Sequence, residues 1–264
     1  MKRTTYIIIG ILAGSMLLMC VGIIYLLTGA KQRYGLDFKI GGEPKTIALP
    51  TCKVVHLVDN SSEKTQTVYW VATPLTVNTA PTASITMAAD MEQYMQTETI
   101  GDTLRIRFTY PVTAERDDQY LWEVRSTALT LALPASTQCF WSELQGQYTT
   151  FSHCTADTLS IWKNGWTNVV KIEDSRFRAL HINTHRLTLE SGEVQHLHRD
   201  INRSSDWDIK TDSFRIDTEY LYGWGECYYN RGKTDARRVV WIPRTGDAQL
   251  HYQLKEPTVL EIKE

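Results

Sequence analysis

A chain of 264 residues has room for a short anchor and one domain of about 230 residues, or at most two small ones. Its composition, 42% hydrophobic and 22% charged with no low-complexity tract or block of like charges, excludes long disorder beyond a first tether. Setting aside Lys2, Arg3, Lys31 and Arg33, the remaining 24 of the 28 basic residues face 30 acidic ones. That net charge near −6 excludes nucleic acid as a partner, because nothing draws the domain to phosphate by counterion release.

In chain order the first predicted element is a membrane-spanning α-helix, Tyr6 to Gly29, which carries no charged residue. At 1.5 Å per residue it would reach roughly 35 Å, enough for a hydrocarbon core of about 30 Å. A cleaved signal peptide fits less well, since its apolar region runs about 7 to 15 residues and no small-x-small site precedes Lys31. Leu17-Leu18-Met19-Cys20 departs from a lipoprotein box at Met19, where a small residue is required. A five-residue tail ahead of a large domain is the layout of a signal anchor. The organisation expected is therefore a cytoplasmic tail (1–5), a single-pass helix (6–29), a tether (30–42) and an extracytoplasmic domain (43–264).

Beyond the tether, apolar residues recur at period two or in short runs, which is the strand signal. Lys53 to Val58, Val68 to Val71, Ser84 to Met87 and Leu104 to Phe108 read as strands, the last following the turn Gly101-Asp102. Asp90 to Gln96 reads as one short amphipathic helix beginning beside an N-cap aspartate. From residue 128 the predicted strands shorten to three to five residues and follow closely without Asn-Gly hairpins. They are Leu129 to Leu133, Leu159 to Ile161, Val169 to Ile172, Leu180 to Ile182, Leu187 to Leu189, Val194 to Leu197 and Phe214 to Ile216.

Matching pieces stand about 17 to 22 residues apart: Ile161 with Ile182, Ile172 with Leu189, Leu189 with Ile209, Leu197 with Ile216. An imperfect repeat of that length predicts an all-β fold, a β-solenoid or single-stranded β-helix (β-roll), in which each rung buries its apolar side on its neighbours. An antiparallel sandwich is the alternative for short alternating strands. Residues 220–264 are expected to cap the open end.

The order of these pieces resembles the auto-transporter adhesin head (GIN) domain family of bacterial envelope proteins. The likeness is carried by Lys53 to Leu57, by Asp90-Met91-Glu92 before Gly101 to Ile106, and by Leu129 to Pro134. Asp157 to Ile161, Leu187 to Gly192 and Ser204 to Trp207 look like its rungs, and the likeness spans roughly residues 45 to 220. The resemblance implies a repetitive β-roll, an adhesin-like or scaffolding role, and a bacterial inner-membrane protein facing the periplasm or cell exterior. It carries over no catalytic residue. This chain has more Trp and fewer Gly, Ser and Asn in its rungs than the family pattern, so no ligand carries over either.

Tyr220, Tyr222, Trp224 and Tyr228 share strand parity, with Arg231 and Lys233 close behind. With Trp241 they form either a glycan or protein contact surface or the cap of the last rung. His181 with His185, and His196 with His198, also share parity, but without an acidic partner at a defined spacing they are read as solvated strand residues, and no metal is expected. Asp200, Asp206, Asp208, Asp212, Asp217 and Glu219 are read as turn formers. A carbohydrate-active enzyme, the alternative, would instead need two of them converging in a groove. An envelope-stress sensor or regulatory partner is a further alternative. Nucleophile elbows and phosphate loops are absent from the sequence, so no catalytic residue and no cofactor is expected. Four cysteines follow the anchor. The closest in sequence, Cys139 and Cys154, form the first candidate disulfide, with four free buried thiols as the alternative.

Overall fold

The computed structural model describes residues 12, 14–24, 37–60, 68–71, 73–110, 121–163, 168–203, 206–210, 212–229, 236–252 and 258–263. The chain divides into two units, residues 1–36 and 37–264. In the first, residues 14–24 are helical with exposed apolar side chains, Met16 and Leu18 among them. No helix among the described residues is long and apolar enough to cross a membrane. Half of the predicted 6–29 span (residues 6–11, 13 and 25–29) and the 30–36 part of the tether lie outside the described residues.

The second unit is all-β, a β-solenoid of about five turns. From Cys139 to Gly223 the chain alternates between two sheets in which these strands run parallel; beyond it the intervening strands Glu226–Tyr229 and Gln249–Tyr252 pair in a two-stranded sheet of their own. Cys139–Ser142, Thr155–Lys163, Ser175–Thr184, Gly192–Asp200, Phe214–Gly223, Arg238–Pro243 and Val259–Ile262 stack in order within a ten-stranded sheet. The intervening strands Tyr148–Ser152, Val169–Glu173, Arg186–Leu189 and Asp206–Ile209 stack in an eight-stranded one. Register partners are 17 residues apart at His181 and His198, and 22 apart at His198 and Tyr220. Parallel stacking of this kind excludes the sandwich, which pairs neighbours antiparallel.

Three of the four sequence matches are register pairs: Ile161 with Ile182, Ile172 with Leu189, and Leu189 with Ile209. The fourth is not. Ile216 pairs with Val194, and Leu197 with Glu219. The cause is a bend inside each long strand. In Ser175–Thr184 the inward residues are Ser175 and Phe177, then Leu180 and Ile182, so Arg178 and Ala179 both face out. Gln195 and His196, and Asp217 and Thr218, repeat that pair at the same register. Two outward residues in a row bend the strand and reverse its parity. Strands expected to be three to five residues long therefore run to nine or ten across the bend.

The turns leading back to the ten-stranded sheet need left-handed backbone. His153 (φ 54°) and Asp174 (φ 47°) supply it at successive rungs, as residue types that tolerate it. At the next rung Gly192 (φ 130°) is the only option, because a Cβ there would lie 2.1 Å from the Ser175 carbonyl oxygen.

The earlier part of the chain is not laid down sequentially. Val54–Asp59 lies between Thr103–Phe108 and Cys139–Ser142, and Leu75–Thr79 between Leu129–Leu133 and Tyr148–Ser152, all in parallel. The first rung is thus flanked by the second on one side and the third on the other. Asp37–Lys39, within the expected tether, pairs with Leu121–Arg125, and Ile40 is buried, so the folded unit begins at residue 37. The stack ends there in antiparallel strands: Met95–Ile100 on Thr103–Phe108, and Pro44–Ala48 on Ser84–Ala88. The predicted helix is a six-residue 3-10 helix, Ala89–Tyr94, with Met91 buried and no side-chain cap; Asp90 sits in its first turn rather than capping it. Within the segment expected to cap the other end, Arg238–Pro243 and Val259–Ile262 add two strands to the ladder, and Val259, Leu260 and Ile262 of the last strand are exposed.

The core is built of ladders. Phe140, Ile161, Ile182, Arg199, Leu221 and Trp241 occupy one inward register column, and Leu159, Leu180, Leu197, Glu219 and Val239 the next. Each apolar member contributes about 1.5–3 kcal/mol by leaving water. These two columns each carry one member of a buried pair, Arg199 in the first and Glu219 in the next, and a third, at the ends of the strands, carries Lys163 between Ser142 and Thr184.

All five cysteines are free thiols, so the candidate Cys139–Cys154 disulfide is not formed. Cys139 faces outward on its strand, whereas Cys154 is buried in a turn and donates to the Val77 carbonyl at 3.3 Å. Burial pushes the Cys154 thiol up to about 12.

Candidate functional site: the outer face of the ten-stranded sheet

On the outer face, side chains of equal parity on successive rungs form columns, with rungs about 4.8 Å apart. One column runs through Ser160, His181, His198 and Tyr220. The His181 and His198 rings stack at 4.1 Å and 11°, and His198 stacks on Tyr220 at 4.4 Å and 4°. The neighbouring column begins with His56 stacked on Trp141 at 3.9 Å, passes to Trp162, then drops to the small residues Asn183 and Asp200 before rising again at Tyr222. Trp141 and Trp162 are 39% and 42% exposed.

Those two small residues leave a slot of about 250 Å³, with Trp162, Tyr222, Asp200, Arg203 and Arg244 in its lining. Asp200 is buried at its base. It accepts the backbone N–H of Asn202 at 3.1 Å and Arg244 Nη1 at 2.9 Å, with Arg203 Nε 3.7 Å away. The Arg244 guanidinium also lies over the Tyr222 and Trp224 rings, at 5.5 and 5.7 Å. Asn202 clasps the backbone of Trp224, donating to its carbonyl and accepting its N–H, both at 2.8 Å. The next rung therefore fixes the slot's rim. Gly223 allows this close approach, since a Cβ there would lie 2.5 Å from Cys227 Sγ.

The imidazoles are held neutral. Burial, reinforced by the neighbouring His181 and His196, depresses His198 to about 4, and burial lowers His181 as well. His198 Nδ1 is 2.8 Å from the Tyr222 hydroxyl, and burial raises that phenol, which stays protonated and able to donate. Nearly parallel stacked rings aim their in-plane lone pairs side by side, so they do not converge on a metal ion. Among the described residues no three His, Cys, Asp or Glu side chains gather to hold one.

Of the aromatic residues singled out in sequence, Tyr220, Tyr222 and Trp224 meet on this face. Trp241 does not: it is buried opposite Leu221 in an inward column, because the register places it there. The side chain of Tyr228, and Arg231 and Lys233, lie outside the described residues. Trp141, Trp162 and Arg244 were not legible as site residues, since Cys139–Ser142 was not predicted as a strand and the predicted 159–161 strand stopped before Trp162. Of the aspartates, Asp200 belongs to the slot, while Asp208 pairs with Lys210 and Asp217 with Arg237. A second groove, of about 440 Å³, follows the strand bend and holds the pairs Arg178–Asp157 and Arg176–Glu193.

Fold and face together define a parallel β-solenoid that bears a narrow aromatic column interrupted by one charged slot. No protein-family model matches the sequence, and no curated protein matches it. Among solved structures, a candidate adhesin of Bacteroides fragilis aligns over 86% of this chain and 99% of its own, at a TM-score of 0.47 and 11% identity. A candidate lipid-binding protein of Parabacteroides distasonis aligns over 86% and 96% at 0.38 and 12%. A candidate adhesin of the same species aligns over 85% and 99% at 0.36 and 10%. At these scores the fold assignment rests on the strand register and not on the likeness.

Proposed function

We propose that this chain is an adhesin-like display protein of the bacterial envelope, anchored in the inner membrane through residues 6–29, whose solenoid presents the outer face of the ten-stranded sheet as a contact surface. The observation that carries this reading is that face, where indoles stand exposed in register beside the slot. Exposed aromatic columns are unfavourable in water unless they meet a ligand. An enzymatic reading finds less support. The slot lining includes one carboxylate, Asp200, and two guanidiniums already occupy it, whereas glycoside hydrolysis needs a pair. The uncharged run Tyr6 to Gly29 supports the anchor.

The role is tested on cells displaying the full chain. A Trp141→Ala/Trp162→Ala double variant is expected to reach the surface at wild-type level and lose adhesion to glycan-coated or host-cell surfaces. Undiminished adhesion would remove this face from the role. Extraction of the full chain by alkaline carbonate, which strips peripheral proteins, would refute the anchor.

A further inference from the structure

The ligand class follows from the slot's shape and charge, and rests on the reading that this face is the contact surface. Two adjacent columns, interrupted by the small residues Ser160 and Asn183, are too narrow for a globular partner, which needs about 800 Å² on each side. From the strand of His56 to that of Tyr222 there are five rung spacings, roughly 24 Å, the reach of a short linear chain lying across the strands. The slot falls within that path. Trp162 and Tyr222 line it as apolar walls, and Asn183 and Asp200 supply an amide and a carboxylate at its base. Such a set, ring faces with both donors and acceptors, complements a sugar, which has C–H faces and hydroxyls that donate and accept. A volume of about 250 Å³ lies just below the range of drug-sized sites, as suits a single ring.

Charge selects among sugars. Arg203 and Arg244, half exposed, share the one carboxylate of Asp200, while Arg199 behind them is matched by Glu219, so the slot retains one positive charge. The stacked rings of the adjacent column turn their edges, the electropositive part of an aromatic ring, toward the ligand side. A guanidinium held over Tyr222 and Trp224 keeps donors free for a planar anion. We infer that the slot between Trp162 and Tyr222 binds a carboxylate-bearing sugar residue of an acidic glycan, its carboxylate on Arg244 and Arg203 and its ring between the aromatic walls.

The test measures binding of the full chain, in detergent, to hexagalacturonate, to its methyl ester, to sialyllactose and to lactose. Either acidic ligand is expected to bind at least tenfold more tightly than its neutral counterpart, and which of the two binds distinguishes uronate from sialate. Arg244→Gln should abolish that preference, Trp162→Ala should weaken acidic and neutral ligands alike, and Arg178→Gln in the bend groove should change nothing. Thermal melts establish that each variant is folded. Equal binding of acid and ester, or an Arg244→Gln variant that keeps the preference, overturns the inference. If Trp162 still matters in that case, the contact face itself stands. If no glycan binds yet the indole double variant abolishes cell adhesion, the ligand class falls and the surface survives; if adhesion persists, both fall.

Discussion

Two places in the core bury a cation, and they deal with it differently. Arg199 replaces an aliphatic residue in the column of Ile161, Ile182 and Leu221, with its Nη1 3.1 Å from Glu219 Oε1 and neither side chain exposed. Lys163, inward between Ser142 and Thr184 of the flanking rungs, is fully buried, and its Nζ has no hydrogen-bond partner among the described residues. Guanidinium cannot shed its proton, so Arg199 requires a counter-charge. An amine can, and burial brings Lys163 down to about 7. One rung keeps the ion and matches it; the other comes close to discarding it.

The largest effect is expected where the match is broken. Glu219→Gln preserves shape but removes the carboxylate charge 3.1 Å from the buried Arg199 guanidinium, and should lower unfolding free energy by about 3–5 kcal/mol in denaturant titrations. Replacing both partners, Arg199→Met with Glu219→Leu, restores an apolar column and should return stability to the wild-type level or above it. A double variant as unstable as the single one would mean that the pair stabilises the core in its own right.

Lys163→Met is expected to act in the opposite direction, raising stability by roughly 1–4 kcal/mol at pH 7, because it removes an unpartnered buried amine. The pH dependence identifies the cause. Between about pH 7 and the ordinary lysine value near 10.4, the unfolded chain holds a proton that the native chain has lost, so wild-type stability rises with pH across that window. The advantage of the Met variant should be greatest below pH 7 and shrink toward pH 10. A pH-independent gap would show that the amine keeps its proton in the folded chain over the same range as in the unfolded one.

Neither buried cation could be placed from sequence, and the reason is local. Period-two alternation and the 17- to 22-residue recurrence revealed strands, their parallel stacking and most register pairs, because each depends on spacing alone. The parity reversal at Arg178-Ala179 and Asp217-Thr218 depends on a bend whose outward residues look like any polar alternation, so Leu197 was matched across it to Ile216 and Glu219 read as a turn former. The inward face of Trp241 was hidden for a different reason, because no strand is read over 238–243 and its parity is therefore not set. Insertion of the first rung between the second and third is a long-range choice with no sequence spacing to announce it. On the outer face the His181 and His198 column was legible in parity, whereas the slot was not, since it consists of small residues at two aligned positions.

The half-buried imidazoles extend the contrast, since they also avoid charge by losing a proton, but at a lower pH. His198 titrates near 4 in the folded chain and near 6.5 when unfolded, so only the unfolded chain gains that proton as pH falls through the interval between them. Stability should therefore decline from about pH 6.5 and level off below 4, and a His198→Gln variant should show a flatter melting-temperature profile over that range. The facing groups are His181, His196, Tyr220 and Tyr222, none of them anionic there, so no partner offsets the penalty. Identical profiles for the two proteins would assign the acid sensitivity elsewhere.

The smallest stability change is expected at Trp162. Its neighbours in the column are Trp141 on one side and the small Asn183 on the other, and it is 42% exposed, so truncation to Ala removes little that the fold depends on. The expected loss is about 1 kcal/mol or less, against several for inward aromatic residues such as Phe140 one rung away. A much larger loss would make the indole part of the scaffold, and its exposure would then say nothing about ligands. A small one, combined with lost binding, would separate the two faces of one strand: the inward side chains hold the rungs together, and the outward side chains are free to be spent on recognition.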